Sequence, residues 1–185
     1  MEILSREEGE MAVALARATL EKELAGKEVA FPELTPVFAA KRGVFVTLTM
    51  NGQLRGCIGF PYPMIPLGEA IREAAFSAAQ QDPRFPPVSP PELDTIRIEV
   101  TILTPPEVLA SVPLDRPGEV EVGRHGLIVR GFGRSGLLLP QVAEEYGWDS
   151  AAFLDHTCSK AGLAAGCWKD REIELFRFEG QIFHE

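Results

Sequence analysis

Residues 43–60, GVFVTLTMNGQLRGCIGF, decide the local fold and nominate a site. Two alternating runs flank Asn51-Gly52, and that dipeptide supplies the positive φ angles a two-residue type I′ turn requires. The stretch therefore predicts a β-hairpin. With a two-residue loop, Met50 pairs with Gln53, Leu48 with Arg55 and Val46 with Cys57. Side chains alternate along a strand, so Arg55 and Cys57, two apart, leave from one face. A guanidinium among Leu48 and Val46 keeps its charge and needs a partner, either an internal carboxylate or an anionic ligand. A cation beside the thiol would favour thiolate, the nucleophilic form. Gly56 and Gly59 remove side chains beside the thiol, which admits a substrate or another backbone. The competing reading is a buried, inert cysteine with glycines marking bulges.

Composition bounds the rest. At 185 residues and 20.2 kDa the chain suits one domain with a real core. A net charge of −9 argues against a broad nucleic-acid surface. The N-terminus, MEILSREEGE, lacks a basic and then apolar leader, and no apolar run reaches the length of a membrane span. The expected location is cytoplasmic. Cys57, Cys158 and Cys167 are odd in number and widely spaced, which suits reduced thiols better than a disulfide frame.

Ser5 with Glu8 forms a capping box opening a helix that ends at Gly26. Leu67 to Gln81 reads as a second helix with a face of Ala70, Ile71, Ala74, Ala75 and Ala78. Thr95 to Leu103 alternates as a half-buried strand. Glu119 to Val122, Gly126 to Arg130 and Leu137 to Leu139 read as short strands. Pro140 opens a short helix ending near Gly147, and Asp149 or Ser150 caps another that runs to about Gly162. Glu172 to Phe178 is the last strand. Helices and strands mix without regular alternation, so the fold class is α+β, a mainly antiparallel or mixed sheet flanked by helices.

Leu54-Arg55-Gly56-Cys57-Ile58-Gly59 resembles the LRGCIG signature of the AMME-syndrome critical-region family, known in prokaryotes as AmmeMemoRadiSam system protein A. Further blocks match in order: Asp82-Pro83-Arg84-Phe85-Pro86-Pro87, His125 to Val129, Leu138 to Ala143, Gly147-Trp148-Asp149 and Cys158 to Leu163. The resemblance implies one family domain over 1–185, with a larger lobe holding both termini and a smaller lobe from the middle of the chain. It places the signature hairpin at or near a cleft between them. It also implies association with a Memo-like protein and a radical SAM protein, and it brings no established reaction.

The expected site is an Arg55/Cys57 cleft serving a small-molecule-binding or thiol-dependent enzyme subunit. The alternative is a non-catalytic adaptor for those two partners, and a nucleic-acid-related factor comes last. His125, at a Gly-bounded turn, is a candidate base for Cys57, although a solvent-facing turn histidine is the commoner case. Asp82 and Arg84 either line the cleft or pair to fix their loop. Gln141 sits at a helix start, where free N–H groups can hold an anion. Cys158 falls on its helix's apolar stripe, His156 and Lys160 on the solvated side. Trp148 and Trp168 read as core anchors. No metal-ligand spacing and no nucleotide-binding motif is present, so neither a metal nor a cofactor is expected.

Overall fold

The computed structural model describes residues 4–185. The helices are α1 (Arg6–Ala25), α2 (Leu67–Gln80), α3 (Pro140–Glu145) and α4 (Ser150–Lys160). The strands are β1 (Val44–Met50), β2 (Gln53–Phe60), β3 (Ile96–Leu103), β4 (Glu107–Val108), β5 (His125–Gly131), β6 (Arg134–Leu138) and β7 (Glu174–His184). The fold is α+β, and its strand pairs are antiparallel. The chain divides into two compact units, Met1–Leu103 with Gln181–Glu185, and Thr104–Gly180.

In the first unit the strand order is β2-β1-β3, with the end of β7 beside β3, where the Glu185 N–H donates to the Ile98 carbonyl at 3.0 Å. The expected capping box forms at Ser5 and Glu8, and Gly26 closes α1 at φ 62°. Ala12, Leu15, Ala16 and Leu20 of α1 pack with Ala70, Ile71, Ala74 and Ala75 of α2 over Val44, Val46 and Leu48. The alanine face lets α2 sit almost on the sheet. A Cβ added to Gly56 would lie 2.1 Å from the Ala78 carbonyl oxygen, so glycine is required there for closeness of approach.

That approach corrects the expected register. The turn is as read, with Asn51 at φ 54° and Gly52 at 76°, and Met50 pairs with Gln53 and Thr49 with Leu54. Then the pairing slips. Leu48 faces Gly56, Thr47 faces Cys57 and Val46 faces Ile58, leaving Arg55 as the extra residue of a β-bulge. The place opposite Leu48 faces Ala78 and has no room for an arginine. Gly56 occupies it, and Arg55 bulges.

The second unit carries β5 between β6 and the first part of β7, with β4 paired to β7 as well. Leu127, Val129, Phe153, Leu154, Trp168 and Leu175 form its core. Glu119 to Val122 is no strand, because the segment Pro113–Glu119 coils as a 3₁₀ turn and the chain then turns into β5. The last strand runs on to His184, since the backbone stays extended through Gly180.

The reading of all three cysteines as reduced is also corrected. Cys158 and Cys167 form a disulfide with Cα atoms 6.0 Å apart. Gly162 and Gly166, at φ 72° and 79°, turn the chain back on itself between them, which the odd count and wide spacing concealed. Trp168 is buried as expected, and its indole N–H donates to Asp155 at 2.7 Å. The buried Arg116 donates to the carbonyls of Trp168, Asp170 and Ile173, fixing the same segment. Among the described residues no helix is long and apolar enough to cross a membrane.

Candidate functional site

The bulge separates the two side chains that strand alternation had placed together. Arg55 turns toward the core side, where it is buried. Its Nε donates to Glu92 Oε1 at 2.9 Å, its Nη1 to the Pro86 carbonyl at 2.9 Å and its Nη2 to Glu92 Oε2 at 3.3 Å. The required partner is thus an internal carboxylate. Glu92 is itself fixed by the N–H and hydroxyl of Ser89, at 2.7 and 2.8 Å. Arg55 first, and the Ser89 N–H next, hold the Glu92 carboxyl down at about 2. The Ser89-x-x-Glu92 spacing was a legible capping-box signal for this acid.

Cys57 faces the other way. Its residue pairs with Thr47, and the Thr47 hydroxyl lies 3.4 Å from Sγ. Thr47 pairs in turn with Glu99 of β3, so Cys57, Thr47 and Glu99 form a row across β2, β1 and β3 on one sheet face. Glu99 Oε2 stands 3.4 Å from His184 Nδ1. Thr101 and Phe45 share that face, and the Phe45 ring covers the place where a Gly59 side chain would stand. Cys57 is half-buried and, among the described residues, is the free cysteine.

Asp82 and Arg84 serve the main chain of Cys57. β2 is the edge strand of its sheet, and an edge strand presents unpaired N–H and C=O groups. The Cys57 N–H donates to Asp82 Oδ2 at 2.8 Å, and Arg84 Nη2 donates to the Cys57 carbonyl at 3.2 Å. The two side chains are joined at 2.7 and 2.9 Å, so a carboxylate–guanidinium pair takes the place of a neighbouring strand. Asp82 has a side chain 2% exposed; its carboxyl is held far below the usual range by Arg84 despite burial, with the Cys57 and Arg84 N–H groups adding to the effect. Arg84 is raised, chiefly by Asp82, and Cys57 adds to the raise. Its side chain is 54% exposed. Arg84, rather than Arg55, is the guanidinium on the thiol's own strand edge.

The remaining candidates belong to the second unit. His125 is buried, not solvent-facing: its Nδ1 accepts the Glu121 N–H at 2.9 Å, and its Nε2 stands 3.9 Å from Glu179 Oε1. Burial lowers its pKa, and Arg177 and Arg124 lower it further. These contacts make it the hinge of the turn into β5. Gln141 occupies the first turn of α3 and is half-buried. Two cavities of the first unit, 700 Å³ beside Lys22 and Lys27 and 620 Å³ beside Phe38 and Arg72, do not include Cys57 in their walls. Among the described residues no cluster of His, Cys, Asp or Glu could hold a metal ion.

A two-unit α+β chain with a bulged, clasped cysteine hairpin defines the class. The family model AMMECR1 matches residues 13–183, and the chain belongs to that family. It is 55% identical to a protein of Methanothermobacter thermautotrophicus, over 98% of this chain and 96% of that one. Protein MJ0810 of Methanocaldococcus jannaschii is 50% identical, over 100% and 94%. The crystal structure of the uncharacterized protein PH0010 from Pyrococcus horikoshii is similar at TM-score 0.89 and 47% identity, covering 100% of this chain and 94% of that one.

Proposed function

We propose that this protein binds a small anionic molecule at the Cys57 strand edge and acts on it through the thiol. The observation that carries the reading is the side-chain clasp on the Cys57 main chain. It fixes the orientation of a free thiol against the Thr47 hydroxyl and keeps a half-exposed guanidinium beside it. A half-exposed guanidinium beside the sulfur can hold a carboxylate or phosphate within reach of the thiol. Arg55, absorbed by Glu92, takes no part in contacting the ligand.

The test is alkylation by iodoacetamide followed by intact mass, between roughly pH 6 and 9. One adduct forms at Cys57, small carboxylates or phosphate protect the wild type, and Arg84→Gln removes that protection. Alkylation unmoved by added anions in the wild type, or protection undiminished in Arg84→Gln, would sink the proposal.

A further inference from the structure

The second unit buries a cation that no acid pairs with. Arg116 lies in the 3₁₀ segment Pro113–Glu119 and is 7% exposed. Its Nη1 donates to the carbonyls of Trp168 and Asp170 and its Nη2 to that of Ile173, while its buried Nε has no hydrogen-bond partner. Among the described residues it forms no ion pair. Burial lowers its pKa, against the weaker opposite effects of Glu119 and Asp170. A buried charge without a counter-ion is costly, and an unsatisfied buried donor adds to that cost.

The carbonyls facing Arg116 all belong to one stretch, 168–173, which follows Cys167 directly. That stretch has little regular structure of its own. Between the end of α4 and the start of β7, helical geometry is confined to the short 3₁₀ turn Cys167–Lys169. Ala164, Ala165 and residues 169–172 are exposed. A segment of this kind, irregular and open to water, belongs to the part of a protein that opens first. Two of its side chains bond to α4. The Trp168 indole reaches Asp155 at 2.7 Å, and Cys167 is joined to Cys158. Asp155 and Cys158 stand one turn apart on the helix, so both links hold the same point of the segment.

We propose that the Cys158–Cys167 disulfide is a redox-operated latch that keeps residues 162–173 closed over Arg116, and that reduction by a dithiol opens it. The two sulfurs are unequal: Cys158 is fully buried, whereas Cys167 is half-buried beside exposed chain. The reductant's thiolate therefore attacks Cys167 Sγ and displaces the Cys158 sulfur, which takes up a proton. The reductant's second thiol then attacks its own sulfur in the mixed disulfide and releases the Cys167 thiol. Two electrons and two protons pass to the protein, and the dithiol becomes a disulfide. The reverse exchange with an oxidised dithiol closes the latch. With the covalent link gone, hydration of the Arg116 guanidinium favours the open segment, while the ladder between β5 and β7 stays paired.

The test uses the full chain with Cys57→Ala, so that no third thiol joins the exchange. It is compared as isolated, after dithiothreitol, and after reoxidation with oxidised dithiothreitol. A version that also carries Cys158→Ser and Cys167→Ser has no cross-link to cut. Phenylglyoxal, which modifies accessible guanidinium groups, reports on Arg116 by peptide mass, and hydrogen exchange reports on the amides of 162–173. Both should run about 10- to 100-fold faster in the reduced and serine forms, the scale on which a cross-link constrains a short loop. Reoxidation should restore the slow rates, and the amides of β5 should not change. Trp168 emission should move to longer wavelength on reduction. It is read in Trp148→Phe, because Trp148 is half-buried and stacked on His156 instead of being a core anchor. Equal protection of Arg116 in the oxidised and serine forms overturns the proposal. So does faster exchange spread equally over β5, a chain isolated without the disulfide, or a disulfide that dithiothreitol leaves intact in the native protein.

Discussion

Cys57 and the Cys158–Cys167 pair show the same element under opposite constraints. Cys57 has a hydroxyl as its side-chain neighbour, so its sulfur stays a thiol while side chains immobilise its main chain. Cys158 and Cys167 have each other, and they are held further by Trp168–Asp155 and by Arg116 on the surrounding carbonyls. In the first case side-chain contacts fix the main chain of a free thiol. In the second a covalent bond closes a turn. The lesson is that the chemistry of a cysteine is settled by what sits across from it.

The contrast can be broken most forcefully at Arg55. Arg55→Ala leaves Glu92 without its guanidinium, and loss of one member of a largely buried pair costs about 3 kcal/mol. Urea unfolding followed by circular dichroism measures it. Cys57 alkylation in native buffer should change far less than stability does, because Arg55 faces away from the thiol.

Next in size is the covalent side. Replacing Cys158 and Cys167 together by serine removes a cross-link spanning 9 residues of sequence, expected to contribute about 2–3 kcal/mol by constraining the unfolded chain. Thiol titration should then find Cys57 alone in the native wild type, and all the cysteines after reduction in denaturant. A native wild type that titrates fully without reductant would erase the comparison.

The smallest effect concerns pH. His125 has a folded pKa below its ordinary 6.5, first from burial and then from Arg177 and Arg124. The unfolded chain therefore takes up the proton before the folded one does. Its contribution is complete above 6.5 and is lost as pH falls through the lowered folded value. Thermal unfolding between about pH 7.5 and about pH 5.5 should show a decline in Tm that His125→Gln reduces. An undiminished decline would remove His125 as its source.

Local chemistry made much of the fold legible. The Ser5–Glu8 box and Gly26 fix both ends of α1, and Asn51-Gly52 fixes the hairpin turn, because each depends only on adjacent residues. The alanine face of α2 was equally readable. The bulge was not, since it arises from the Ala78 carbonyl lying against Gly56, a contact between residues 22 positions apart in sequence. A separation of 37 positions hid the Arg55–Glu92 pair, although the Ser89-x-x-Glu92 spacing pointed to a fixed acid. His125 read as a solvent-facing turn residue because its neighbours in sequence are glycine and arginine, while its burial comes from the packing of β5.

Adjacent residues set most helix and strand limits, since caps, turns and alternation are written in short-range preferences, and they offered Cys57, Asp82 and Arg84 as candidates. Which way the sulfur points, which acid quiets Arg55, and which cysteines join were decided only when α2 settled on β2 and the glycine turns closed behind α4. Those outcomes depend on shape and close approach across the chain, and no window of neighbouring residues contains them.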